Sequence, residues 1–307
     1  MRIYLAAMYT SSWHKTSQGY LRLDDREKAA YDSVRHQLES YHYIHRQSFV
    51  DKLRADGVRV FLDSGAFSAF SLGAEIDIAG YCDYIKQNRD IIETVDGDLM
   101  ASVLDGIGDP LKTYQNQVEM ERRGVRPLPC FHYGEDERYL EHYVANYTYI
   151  TLGGMVPVSN PQLYYWLDRI WERYLTDGAG RPKIRVHGFG LTSMGLMRRY
   201  PWFSVDSSSW QAAGSNGRII LPETGGTLAI SKNSAEVKKH DQHYDTMSPV
   251  QREALRHYIE DKNGFSVERL RDTYLARWAF NCWSFGQVQN ELSEKELTFA
   301  TDQPELF

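Results

Sequence analysis

The feature that most constrains this chain is a recurrent alternation. Short β-prone apolar runs are separated by polar stretches of helical length. The runs are Ile3–Ala6, Val58–Leu62, Leu99–Leu104, Pro127–His132, Tyr149–Leu152, Ile184–Phe189 and Phe203–Val205. Between them lie Ile78–Ile91, Leu111–Arg123, Glu137–Asn146 and Gln162–Leu175. Parallel neighbours in a sheet need a crossover of about a dozen residues or more, usually a helix. Seven such units and one further strand fit an α/β fold of the (β/α)8 TIM-barrel class. The length, 307 residues, suits one barrel-sized domain spanning 1–307.

Helix punctuation supports this reading. Asp109-Pro110 supplies a cap and a first-turn proline, and Gly124 follows Arg122 and Arg123 as a stop. Asn160-Pro161 opens the next helix in the same way. The stretch 207–248 breaks the rhythm with Gly214, Gly217, Gly225 and Gly226. It reads as a loop and hairpin inserted after strand seven, with Arg218–Leu221 or Thr227–Ser231 as the candidate eighth strand. Residues 249–291 read as C-terminal helices, Ser266 caps one of them, and the acidic tail after Leu292 is expected to fray.

Composition narrows function more by exclusion than by assignment. The charge of -6 argues against a generally basic nucleic-acid coat but leaves room for a local basic groove. No apolar run reaches the roughly 18 residues of a membrane span. Cys82, Cys130 and Cys282 are scattered without metal spacing. They suggest a reducing, cytoplasmic setting. The 21 tyrosines suit core edges and base-stacking surfaces alike.

In a barrel of this class the active site lies at the C-terminal strand ends. Here those ends carry Asp63-Ser64-Gly65, Asp105-Gly106, His132-Tyr133-Gly134, Gly153-Gly154-Met155, His187-Gly188-Phe189-Gly190 and Asp206-Ser207-Ser208-Ser209-Trp210. A lone strand-end aspartate often caps the following helix, as Asp109 is expected to do. Three aspartates on one rim with flanking glycines point instead to a site. Paired carboxylates suit chemistry at an anomeric carbon, where one attacks or stabilises and another moves the proton. A third can accept hydrogen bonds from a base edge.

These motifs resemble those of the tRNA-guanine transglycosylases. Asp63-Ser64-Gly65-Ala66-Phe67 is similar to that family's aspartate-serine-glycine-glycine-phenylalanine motif, and Gly153-Gly154-Met155 to its glycine-glycine-leucine turn. His187-Gly188-Phe189-Gly190-Leu191-Thr192 and Phe203-Ser204-Val205-Asp206 resemble further segments. So do Asn216-Gly217-Arg218, Gly226-Thr227-Leu228 and Ile230-Ser231-Lys232-Asn233-Ser234. The order and approximate spacing match from about residue 60 to residue 249.

The resemblance implies a nucleophilic Asp206, a proton-managing Asp63 and a base-reading Asp105. It implies backbone contacts from Gly153 and Gly154, with His132 in place of the family's base-reading glutamine. Ser64, Phe67, Met155 and His187 complete the expected substrate surface, the last three as candidates to sandwich the ring. Each of those three has a competing reading as a core or structural residue. Lys232, Lys238 and Lys239 are expected to meet backbone phosphates.

The family's cysteine-rich zinc module is missing. His240, His243 and Asp245 offer no thiolate and read as a solvated loop. A compact, zinc-free relative is what the DNA-modifying branch from phages and bacteria looks like. In that branch guanine in DNA is exchanged for a 7-deazaguanine of the preQ0 type. The expectation is therefore that activity, with DNA and a free 7-deazaguanine as partners and no metal or other cofactor. An atypical tRNA-guanine transglycosylase, a nucleoside or glycoside hydrolase, and a non-enzymatic scaffold barrel remain open.

Overall fold

The computed structural model describes residues 1–239, 242–295 and 297–299. The chain divides into two compact units. One comprises Met1–Ser11, His36–Ser207 and the C-terminal residues from Lys295; the other comprises Ser12–Arg35 and Ser208–Glu294.

The first unit is an α/β fold built on a seven-stranded sheet. Its strands are β1 (Arg2–Ala6), β2 (Gln37–Ser40), β3 (Val60–Asp63), β4 (Cys130–His132), β5 (Tyr149–Gly153), β6 (Arg185–Gly188) and β7 (Ser204–Ser207). They lie in the order β3-β2-β1-β7-β6-β5-β4. Every neighbouring pair is parallel. Parallel pairing forces the intervening chain into crossovers, and the helices Gln47–Asp56, Ile78–Gln87, Pro110–Arg122, Glu137–Asn146 and Asn160–Ile170 serve as those crossovers. Asp109 caps its helix by accepting from Lys112 N–H at 2.9 Å.

The two sheet edges, β3 and β4, are both engaged by one short segment. Leu62 N–H donates to Met100 O at 2.8 Å, and Ser102 N–H to Leu62 O at 2.9 Å. On the other side Val103 N–H donates to Leu128 O at 3.0 Å, and Leu128 N–H to Ala101 O at 2.8 Å. The expected strand Leu99–Leu104 is thus present as bridges, while Asp98–Leu99 turns back on Thr94–Val95.

One expectation is overturned. Arg218–Ile220 and Thr227–Ala229 pair with each other as an antiparallel hairpin and add nothing to the parallel sheet. The strand that the apolar pattern did not reveal is β2, between β1 and β3. Its sequence, Gln37-Leu38-Glu39-Ser40, has a single apolar residue, yet Gln37 and Glu39 are buried. Glu39 is tolerated there because Tyr9 N–H donates to Oε1 at 2.6 Å and the Thr10 hydroxyl to Oε2 at 2.8 Å.

Alternation along the strands separates two cores. Tyr4, Ala6, Leu38, Phe61, Met100, Leu128 and Tyr149 fill one face. Val60, Leu62, Ala101 and Val103 face the other way, against Val50, Leu53, Tyr81 and Ile85 of the helices. Burying each of the larger of these side chains is worth roughly 1.5–3 kcal/mol. The tail does not fray at Phe299, which is buried and exchanges a backbone hydrogen bond of 2.9 Å with Gly180.

The second unit centres on the helix Tyr274–Ser293. Trp210, at the end of the Asp206–Trp210 segment, is fully buried in the helix Ser209–Ser215 and stacks on Trp13 with centroids 5.2 Å apart. Asn281 ties the hairpin to this core, accepting from Ile220 N–H at 2.8 Å and donating to Trp210 O at 2.9 Å. His243 is likewise buried rather than solvated, with Nε2 2.9 Å from Ser231 O. Asp245 is paired with Arg271. His240 lies outside the described residues. No helix among the described residues is long and apolar enough to cross a membrane.

Candidate active site

Asp63, Asp105 and Asp206 are brought together by the parallel arrangement. Asp63 is the last residue of β3, and the turn after it admits only glycine. Gly65 has φ +77°, and a Cβ there would lie 2.3 Å from Ser40 Oγ and 2.5 Å from His42 Cβ. This turn aims the Gly65 N–H back at Asp63 Oδ2, 2.9 Å away, while the Ser102 hydroxyl approaches Oδ1 at 3.4 Å. Burial pushes the Asp63 carboxyl up to about 7, and the negative charges of Asp105 and Asp206 push the same way. The Gly65 and Ser102 donors oppose that rise without cancelling it.

Asp206, on β7, has a different environment. Its Oδ1 accepts from Gly190 N–H at 2.9 Å and lies 3.2 Å from His187 Nε2. His187 Nδ1 is 2.6 Å from Ser204 Oγ, which is 2.6 Å from the Tyr149 hydroxyl. Burial pushes the His187 imidazole below its ordinary range, although Asp206 pulls the other way. A neutral ring with Nε2–H toward Asp206 and Nδ1 accepting from Ser204 satisfies every member of this chain.

Asp105 follows the bridging segment. Its Oδ2 lies 3.5 Å from His132 Nε2, and its buried Oδ1 has no hydrogen-bond partner among the described residues. His132 is braced from behind by Glu135, whose Oε1 is 2.9 Å from Nδ1 and whose Oε2 accepts the His132 N–H at 2.9 Å. Cys130, two residues earlier on the same strand face, places Sγ 3.4 Å from Nε2. Burial disfavours a charged His132 ring, but Cys130 and Asp105 favour it, and the balance lies above the ordinary imidazole range.

Gly153 is buried against this pair. A Cβ there would stand 2.8 Å from His132 Cδ2 and 3.0 Å from Cys130 Sγ. Gly154, exposed with φ +68°, turns the chain away. Met155 is 3% exposed and lines a small cavity of about 160 Å3 with Val156, Leu163, Gly190 and Leu196. Asp105 also lines a cleft of about 650 Å3 with Ala66, Phe70, Ile76, Leu104 and Lys112, to which Asp63 and Asp206 do not contribute.

Two further assignments change, and a third is kept. Ser64 is fully buried; its N–H donates to Ser102 Oγ at 2.8 Å, and its hydroxyl oxygen faces Ala66 N at 3.4 Å. It shapes the turn rather than meeting a ligand. His187 is also fully buried, between Phe61 and Phe189 at 4.6 Å each, so its ring faces are occupied and it serves Asp206 instead. Phe67, by contrast, is 66% exposed on the helix Ala66–Ser71, which rules out its core reading and leaves a ring face free.

The lysines belong to the second unit. Lys232 is exposed and paired with Glu268 and Asp272, which offset its charge. Lys239 pairs with Glu236 at 3.6 Å, and Lys238 is exposed.

Cys130, Glu135, Ser102 and Ser204 belong to the site although no motif singled them out. The signal for the first two is the spacing Cys130-x-His132-x-x-Glu135, which sets sulfur and imidazole on one strand face with a carboxylate one turn on. No family model and no curated protein matches the chain.

Proposed function

We propose that this protein is a base-exchanging pentosyltransferase that replaces guanine in DNA with a 7-deazaguanine through a covalent aspartyl-glycosyl intermediate. The supporting observation is the contrast between a buried Asp63, pushed up to about 7 beside Asp105 and Asp206, and an Asp206 oriented by the Gly190 N–H and His187. In this reading the first unit is a (β/α)8 barrel, with Met100–Val103 as the strand that closes it between β3 and β4.

Both N–H donors converge on Oδ1 of Asp206, which leaves Oδ2 for C1′ of the target nucleotide. As the ester bond forms and the glycosidic bond breaks, Asp63 delivers its proton to the departing guanine. The incoming base then attacks C1′, Asp63 takes back a proton, and Asp206 is released. The free, buried Oδ1 of Asp105 suits the amino and N–H donors of a purine edge, because an unpaired buried acceptor gains most from a matching donor. Exposed Phe67 offers a ring against which an extruded base can stack.

The test is to incubate the protein with DNA, tRNA and candidate 7-deazaguanines, digest the nucleic acid and identify nucleosides by mass spectrometry. Deazaguanosine in DNA supports the reading. Its appearance in tRNA alone, or release of free base with no incoming base, assigns the tRNA or hydrolase alternative. Lys238→Ala with Lys239→Ala should lower the salt slope of DNA binding by about one to two without changing base preference.

A further inference from the structure

Three electron-rich atoms meet at the C-terminal end of β4. Nε2 of His132 is 3.4 Å from Cys130 Sγ and 3.5 Å from Asp105 Oδ2, and ligand atoms of all three residues lie within 4.8 Å of one another. Glu135 fixes the tautomer. A carboxylate 2.9 Å from Nδ1 holds the proton there, so an arriving cation displaces only the Nε2 proton and that nitrogen then faces the sulfur and the carboxylate as a ligand. A carboxylate behind a metal-binding imidazole is the usual outer partner of such sites.

The two separations from His132 Nε2 match a metal centre. Zinc bonds of about 2.0 Å to nitrogen and oxygen and 2.3 Å to sulfur, at tetrahedral angles, separate N from O by about 3.3 Å and N from S by about 3.5 Å. Gly153 supplies the space, since any side chain there would strike both His132 and Cys130. The surroundings are buried: Cys130 is 1% exposed, and Asp105 Oδ1 is buried without a partner.

We propose that Asp105, Cys130 and His132 bind one divalent cation of borderline softness, best matched by Zn2+, with the fourth coordination position open. Thiolate and carboxylate together balance the ion's two charges. Binding displaces the Cys130 thiol proton and the His132 Nε2 proton to solvent, and the sulfur–metal and nitrogen–metal bonds take their places. With Oδ2 on the metal, Asp105 keeps Oδ1 for a ligand. The site does not depend on the base-exchange reading, because metal binding is measured without nucleic acid.

The experiment uses the full chain, stripped by chelation and titrated with Co2+ as a spectroscopic probe. One Co2+ per chain is expected, with a thiolate-to-cobalt charge-transfer band, intense tetrahedral ligand-field bands, and displacement of both by Zn2+. Cys130→Ser should abolish the charge-transfer band. The double variant Cys82→Ser/Cys282→Ser should keep it, which identifies the sulfur even if Cys130→Ser fails to fold. Glu135→Gln should weaken binding by about 10–100-fold. Absence of stoichiometric Co2+ binding, or a band that survives in Cys130→Ser or disappears in the double variant, overturns the proposal.

Discussion

Asp206 and Asp63 end two strands of one sheet, yet the fold treats them in opposite ways. Around Asp206 it has placed donors: the Gly190 N–H, the His187 ring, and behind that Ser204 and Tyr149. Around Asp63 it has placed burial and two like charges. The donors orient the Asp206 carboxyl, whereas desolvation and repulsion favour the protonated form of Asp63. In the proposed reaction this contrast divides two chemical roles between residues of one type. The difference predicts that the two residues fail differently when changed.

The largest effect is expected for Asp206→Asn. An amide cannot form the glycosyl ester, so exchange should fall by roughly 10⁴-fold or more. Base exchange by Asp206→Asn at the parental rate, read by nucleoside mass spectrometry, would end the assignment.

Asp63→Asn should cost about 10²–10⁴-fold, because proton transfer is lost while the nucleophile stays. In the parent chain, single-turnover formation of the intermediate should decline as pH rises through about 7, where Asp63 loses its proton. That limb should disappear in Asp63→Asn. A decline that persists belongs to another group and breaks the contrast.

His187→Leu removes the ring that orients Asp206 and should lower kcat by about 10²-fold with KM little changed. His187→Gln, which can place an N–H near the position of Nε2, should recover most of the loss. If both variants behave alike, His187 acts through packing against Phe61 and Phe189 rather than through Asp206.

The sheet and its acidic rim were legible because parallel strands and crossover helices carry opposite hydrophobic periods, and because three aspartates end apolar runs. What hid β2 was the placement of its polarity. Gln37 and Glu39 look like solvent-facing residues until Tyr9 and Thr10 satisfy the Glu39 carboxylate. Ser64 and His187 sat within the right motifs, but motif membership does not reveal which side of a turn or strand a side chain occupies. Lys232 illustrates another gap: a basic residue in a promising segment is paired with Glu268 and Asp272, which come from a helical region more than 30 residues later. The meeting of Asp105 with Cys130 and His132 depends on strand neighbours that spacing along one segment cannot show.

Stability offers a smaller but cleaner test, with Glu39 as the reference. Burial pushes both Glu39 and Asp63 up to about 7, but no like charge contributes at Glu39. A raised folded-state value means that the native protein binds more protons than the unfolded chain between about pH 4 and 7. Stability from each group is therefore complete below about pH 4 and lost as pH rises toward 7. At pH 8 Asp63→Asn should be more stable than the parent by roughly 1–3 kcal/mol, measured by urea unfolding.

Asp206→Asn should also lower the Asp63 titration below about 7 while leaving that of Glu39 unmoved, since only Asp63 senses the deleted charge. Carbon-detected NMR of the two carboxyls reads both in one sample. Equal movement of the two would mean that Asp206 exerts no repulsion on Asp63, and the coupling between the two strand-end carboxyls would collapse.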